Sequence, residues 1–204
     1  MACQDRMTAR PLPRRTGIVR AAALALLFST TLTSPAPASP HADQVVGLFS
    51  RLCYETMPDM AAAEAHVGND WTALTGRALE AFRPAAETTE LKAWTFSDGG
   101  GSFSFALSQS PMDEQGKTDF PAFADATNVS CSLVLNATEA PSPAVRTKLA
   151  ELLEREPDES YDEDPFKVSA WTGEAEGLLV VLYYYEPQSG APGGVLAMTV
   201  FVNP

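Results

Sequence analysis

Histidine and cysteine are both scarce: the 204 residues include two histidines, His41 and His66, and three cysteines, Cys3, Cys53 and Cys131. A zinc site wants about four such ligands, and a histidine triad needs a nucleophile and an acid beside its imidazole. His66 stands in the alanine-rich stretch Ala61-Ala62-Ala63-Glu64-Ala65-His66, and the chain has no Gly-x-Ser-x-Gly elbow, so it reads as a helix-surface histidine. Basic residues are few as well, 14 against 26 acids, for a net charge of −12. Such a surface repels phosphates and anionic lipid, which excludes a nucleic-acid partner. Glycines 99–101 and 193–194 open no helix and carry no phosphate-loop lysine; they read as hairpin turns. Neither a catalytic set nor a cofactor site is legible.

The N-terminal residues have a different character. Arg6, Arg10, Arg14, Arg15 and Arg20 stand against the single acid Asp5 and precede the apolar run Ala21–Phe28. That run is far short of the ~20 apolar residues of a membrane-spanning helix. Basic then apolar, with Ala36-Pro37-Ala38 supplying the small residues a signal peptidase reads, predicts a signal peptide over residues 1–38 and a single secreted domain over 39–204. Arg14-Arg15 leaves the choice between general secretion and twin-arginine export open. Removing the leader leaves nine basic against 25 acidic residues, a charge of −16, and takes away Cys3. In an oxidising compartment the remaining pair predicts a Cys53–Cys131 disulfide; the alternative is two separate buried thiols.

Along the mature chain, Val45, Val46, Leu48, Phe49, Leu52 and Cys53 recur at helical steps from Asp43 onward. Asp59 or Thr56 caps a short alanine-rich helix closed by Gly68, and Trp71, Leu74, Ala78 and Phe82 share the face of a third. From Leu91 the period changes to two. Leu91–Ser97, Ser102–Ser108 and Val129–Leu135 read as strands, the last with Cys131 facing inward, and residues 109–126 as a polar loop. Ser142-Pro143 starts a helix with a capping hydroxyl that runs to about Pro157. Val168–Thr172, Leu178–Tyr185 and Val195–Val202 complete six strands. The fold class is α+β, an antiparallel sheet of about six strands with helices packed on it. Ala93-Trp94-Thr95 and Ala170-Trp171-Thr172 fall at matching places in two halves of order helix, strand, turn, strand, strand, which predicts a tandem α-β-β-β duplication.

Two features invite a functional reading. Between Glu151 and Asp164 eight acids crowd together, and Asp158, Ser160, Asp162 and Asp164 alternate as the first ligands of a calcium loop do. Glu163 stands where that loop needs glycine and Ser169 where it needs its closing glutamate, so the competing reading is a solvated acidic loop. Trp94, Trp171 and Tyr183–Tyr185 make an aromatic platform if they face outward, and core if they face inward. Asn128-Val129-Ser130 and Asn136-Ala137-Thr138 match the glycosylation pattern, relevant only in a host that glycosylates.

The leader, the segment Leu52-Cys53-Tyr54-Glu55-Thr56-Met57-Pro58, the tryptophan after Gly68 and the later single cysteine on a strand together resemble small secreted proteins of Gram-negative bacteria that carry no assigned activity. The resemblance implies a periplasmic or secreted protein and brings no catalytic residues with it. The expected function is a non-enzymatic module binding a protein, peptide or small ligand through the sheet face or the acidic loop. The alternatives are a carboxylate-dependent hydrolase, which needs a pocket with converging acids, and an inhibitor or chaperone-like partner of an envelope enzyme.

Overall fold

A computed structural model describes residues 40–98, 101–175 and 177–204, all within one compact unit. The expected signal peptide and its cleavage site lie outside the described residues. Helix α1, Pro40–Phe49, runs directly into a π-helical turn, Ser50–Tyr54. Helix α2, Met60–Ala65, is capped as expected by Asp59, whose carboxylate accepts from the Ala61 and Ala62 N–H groups. Then follow β1 (Thr72–Ala73), α3 (Gly76–Glu80), β2 (Glu90–Asp98) and β3 (Gly101–Pro111). Helix α4 (Glu114–Asp119), a 3₁₀ turn (Pro121–Phe123) and β4 (Thr127–Thr138) complete the first half. The second half comprises α5 (Ser142–Leu153), β5 (Glu159–Glu163), β6 (Phe166–Ala175), β7 (Leu178–Pro187) and β8 (Gly194–Val202).

The strands form one antiparallel sheet in the order β1-β2-β3-β4-β8-β7-β6-β5. The class is α+β as expected, but with eight strands rather than six. The two extra strands are the edges. Strand β1 has two residues, both exposed, and β5 has five, all exposed; a strand with neither face buried shows no alternation of apolar and polar residues. The helix expected across Trp71–Phe82 is broken for the same local reason that β1 exists. The Leu74 N–H donates to the Ala93 carbonyl, and Gly76 takes a positive φ of 56°, so only α3 remains helical. Helix α5 stops at Leu153, before Pro157, with Glu154 in the left-handed region at φ 55°. The Ser142 hydroxyl does not cap it; it donates instead to the Ala191 carbonyl at 3.1 Å.

The expected repeat of one helix and three strands also differs from what the sheet contains. Each half contributes four strands, and α4 with its 3₁₀ turn separates β3 from β4, where only residues 188–193 separate β7 from β8. Trp94 and Trp171 nevertheless hold related places. The Trp94 row crosses the sheet through Phe105, Leu133 and Leu196, and the Trp171 row runs in the opposite direction through Leu182, Met198 and Cys131.

Both rows belong to the face that α1, the π-helical turn and α5 cover. There Val45, Phe49, Leu52, Val145 and Leu149 pack on Phe103, Phe105, Leu133, Leu196 and Tyr184. Trp94 stacks on Phe105 with centroids 5.4 Å apart. The Tyr184 hydroxyl donates to the Ser142 carbonyl at 3.2 Å. Cys53 and Cys131, both fully buried, form the expected disulfide with Cα atoms 5.7 Å apart. It fastens the π-helical turn to a central strand across 78 residues of chain, and a disulfide typically contributes about 2–4 kcal/mol.

Candidate functional site

The other face of the sheet carries small side chains along β3 and most of β4, with larger ones toward β7. One cross-strand row reads Ala93, Ala106, Ser132, Ala197, Tyr183, Ala170 and Glu159 from β2 to β5. The next reads Leu91, Ser108, Ser130, Thr199, Val181 and Thr172. Alternation along each strand makes this composition inevitable: Val129, Cys131, Leu133 and Leu135 of β4 fill the helix-covered core, so Asn128, Ser130, Ser132 and Val134 point the other way. At one end α4 and the 3₁₀ turn fold over this face, where Met112, Phe123 and Ala126 pack against Leu179, Val181 and Phe201 in a second, smaller cluster.

Beside that cover lies a pocket of about 620 Å³ lined by Ser110, Met112, Asn128, Ser130, Tyr183, Thr199, Phe120 and Phe201, with Pro84, Ala85 and the α4 residues at its mouth. The Ser130 and Thr199 hydroxyls share a hydrogen bond of 2.9 Å. Asn128 Oδ1 is buried and has no hydrogen-bond partner among the described residues. Phe120 and Phe201 form an apolar wall, their ring centroids 5.6 Å apart. Four carboxylates stand around the opening, those of Glu87, Asp113, Glu114 and Asp119, all on exposed residues. Three are occupied locally. Asp113 accepts from the Gly116 N–H at 2.6 Å, Glu114 pairs with Lys117 at 2.6 Å, and Asp119 accepts from Gln115.

An aromatic ridge borders the same face further along. Tyr183 and Tyr185 lie 5.9 Å apart, and Phe166 meets Tyr185 edge-on at 6.1 Å. The expected platform therefore divides: Trp94, Trp171 and Tyr184 are core residues, while Tyr183 and Tyr185 belong to the open face. Burial, with Tyr161, Tyr183 and Glu163 nearby, pushes the Tyr185 hydroxyl up to about 12. Burial also raises Tyr183, helped by Tyr161, Glu159 and Asp119.

The acidic segment runs from the last turn of α5 through an irregular stretch into β5, which holds only Glu159, Asp162 and Glu163 of its eight acids. Asp158 is already bonded, its Oδ2 accepting from Arg155 Nη2 at 2.9 Å and from the Thr172 N–H at 2.6 Å. Ser160 and Asp162 lie on β5, opposite Ser169 and Lys167 of β6, and Asp164 follows it. At ~3.3 Å per residue an extended chain spreads Asp158, Ser160, Asp162 and Asp164 over about 20 Å, whereas a calcium ion holds all its ligand oxygens within about 2.6 Å. The structure does not bring them together, and among the described residues no group of three His, Cys, Asp or Glu could hold a metal ion. In the hollow of about 670 Å³ between α5 and β5, three of the lining charges have partners of their own, Arg146 with Glu186, Glu151 with Lys148 and Arg155 with Asp158. His66 is exposed at the end of α2, beside a hollow of about 300 Å³ shared with Arg51, Asp70, Trp71, Phe96 and Asp98. Among the described residues no serine, threonine or cysteine lines that hollow.

The pocket at Asn128 draws on residues 84–130 and 183–201, which no sequence motif joins. One signal was available: the Asn-x-Ser-x-Ser alternation of residues 128–132 places a polar face directly behind an apolar one. No protein-family model, curated protein or solved structure matches this chain.

Proposed function

We propose that the chain is an exported, acidic, non-enzymatic binding module that holds a peptide or small ligand on the open face of its sheet, in the periplasm or outside the cell. The observation that carries this reading is the inequality of the two faces. One is filled by helices and large side chains; the other has a floor of alanine, serine and threonine bordered by Tyr183, Tyr185 and the α4 cover, and it contains the 620 Å³ pocket. Ligand sites are concave, with an apolar wall and a few convergent polar groups, and this face supplies both. The basic leader and the buried disulfide support the extracytoplasmic placement. The opposed Trp94 and Trp171 rows support descent from a duplicated half, with the helices diverging afterwards.

A carboxylate-dependent hydrolase ranks second. Its best support is the four acids around the pocket, but they occupy the exposed rim and three already hold local bonds, whereas a general acid is generally held in an apolar setting. The test compares the wild-type chain with Ser132→Arg, which sets a long charged side chain on the open floor. Both are recovered from periplasmic extract, and their bound material is identified by native mass spectrometry. The wild type should carry a ligand that Ser132→Arg has lost; identical material on both would remove the open face from consideration.

A further inference from the structure

Two cross-strand rows of the open face bring polar side chains together without charge. Ser108, Ser130 and Thr199 stand opposite one another across β3, β4 and β8, and Ser110, Asn128 and Phe201 form the next row. Ser108 and Ser110 are only 7% and 9% exposed. Neither hydroxyl has a hydrogen-bond partner among the described residues, and neither oxygen is sealed from solvent. The same holds for Asn128 Nδ2 and for the Tyr183 hydroxyl, although Asn128 Oδ1 is sealed. Ser130 and Thr199 have two O–H groups and use one of them on each other, which leaves the second free to turn outward. Ser110, Asn128, Ser130, Thr199 and Tyr183 all line the 620 Å³ pocket. A polar group set this deep without a partner is unfavourable for the fold, and here several of them open on one cavity.

Their chemistry restricts what would satisfy them. Every one is neutral; the hydroxyls both donate and accept, and Asn128 Nδ2 only donates. A cation, which has donors alone, leaves Asn128 Nδ2 without an acceptor. An anion meets the carboxylates at the mouth, where the base Lys117 is already paired with Glu114. An extended peptide is held chiefly by ladder bonds to a strand edge, but β3, β4 and β8 are each paired on both sides, so side chains alone are left to meet a ligand. A compact neutral ring carrying several hydroxyls matches groups that donate and accept at once. Phe120 and Phe201, with ring centroids 5.6 Å apart, supply a wall for its C–H side, which the negative face of an aromatic ring attracts.

We propose that the pocket binds a neutral pyranose sugar, with its hydroxyls bonded to Ser110, Asn128 Nδ2, Tyr183 and the Ser130–Thr199 pair and its C–H face against Phe120 and Phe201. This rests on reading the open face as the binding surface and names its ligand class. The same ring occurs as a free sugar and as one unit of a glycan chain, and the pocket volume lies within the ~300–1,000 Å³ usual for such sites.

The test uses the full chain labelled with ¹⁵N. The probes are methyl pyranosides of gluco, galacto and manno configuration, the uronate and the 2-amino sugar of each, and capped trialanine. At least one neutral pyranoside should shift the Ser110, Asn128, Thr199 and Phe201 amides and bind about tenfold more tightly than its charged counterparts and the peptide. A tetrasaccharide of the best-binding sugar separates the sources: tighter binding than the single ring assigns a glycan chain, and equal or weaker binding a free sugar. Ser110→Ala removes a hydroxyl that the fold does not use, so it should weaken the pyranoside about fivefold without lowering the melting temperature, and Tyr183→Phe should act in the same direction. A uronate, amino sugar or peptide binding as tightly as the best neutral pyranoside, or unchanged affinity in both folded variants, would overturn the sugar assignment while shifts on the open face kept the binding surface. The absence of any shift on that face with every probe would overturn both.

Discussion

Asn128 occupies a position where an aliphatic side chain would serve the fold better. Its Oδ1 is buried and bare, and relieving such a group is worth about 1 kcal/mol when the replacement has similar shape. Asn128→Leu should therefore raise the melting temperature by about 2–4 °C; a clear fall would mean that the amide is bonded in solution. The tyrosines of β7 make a second statement at this scale. Tyr184 and Tyr185 are held protonated by burial, with Tyr185 pushed up to about 12 against an ordinary value of 10. The folded form thus retains its phenol protons where the unfolded chain has begun to lose them. Burial leaves stability unchanged below about pH 10, and stability falls as the pH climbs from there through the folded values, because the unfolded chain ionises more readily. Absorbance at the phenolate band should show the buried tyrosines titrating together with unfolding above pH 10, and Tyr185→Phe should extend the stable range upward.

At the scale of elements, the disulfide is the clearest case of a feature visible in advance. Cys53 sits on a helical apolar stripe and Cys131 on an alternating strand, so both periodicities point inward toward each other. Replacing both by alanine should cost about 2–4 kcal/mol in chemical denaturation, and the intact chain should show no free thiol at either position. Gly194 is a tighter constraint than the sequence alone conveys. It opens β8 at φ 126°, and an added Cβ would collide with the Tyr185 carbonyl oxygen and crowd the Tyr184 ring. Gly194→Ala should destabilise more than a surface substitution does, by about 2 kcal/mol or more, read as a shifted denaturation midpoint. The acidic strand β5 belongs here too. Its carboxylates are spread along an extended, exposed edge, so calorimetric titration with millimolar calcium should give no heat and no change in melting temperature.

For the whole molecule, legibility followed burial. The alternating strands around Phe103, Phe105, Cys131 and Leu133 and the striped helices around Val45 and Val145 each pack one face into the main core, and each was predictable within a few residues. Strands β1 and β5 were not, because edge strands exposed on both faces leave no periodic trace, and the broken Trp71–Phe82 helix depends on a long-range bond from Leu74 to Ala93. The site was less legible still. Its floor consists of residues chosen for being small, its wall comes from Phe120 and Phe201 at distant positions, and Asn128 reads in sequence as the start of a glycosylation pattern. Charge, by contrast, was readable from composition alone and returns as the acidic rim.

The central claim is that the open face, and not the helix-covered face or the hollow at His66, is where this chain binds. A screen of small organic fragments against the ¹⁵N-labelled full chain, followed by amide chemical shifts, tests it directly. The shifts should concentrate on Ser110, Asn128, Ser130, Thr199 and Phe201; fragments collecting instead around His66 and Trp71, or along α5, would contradict it.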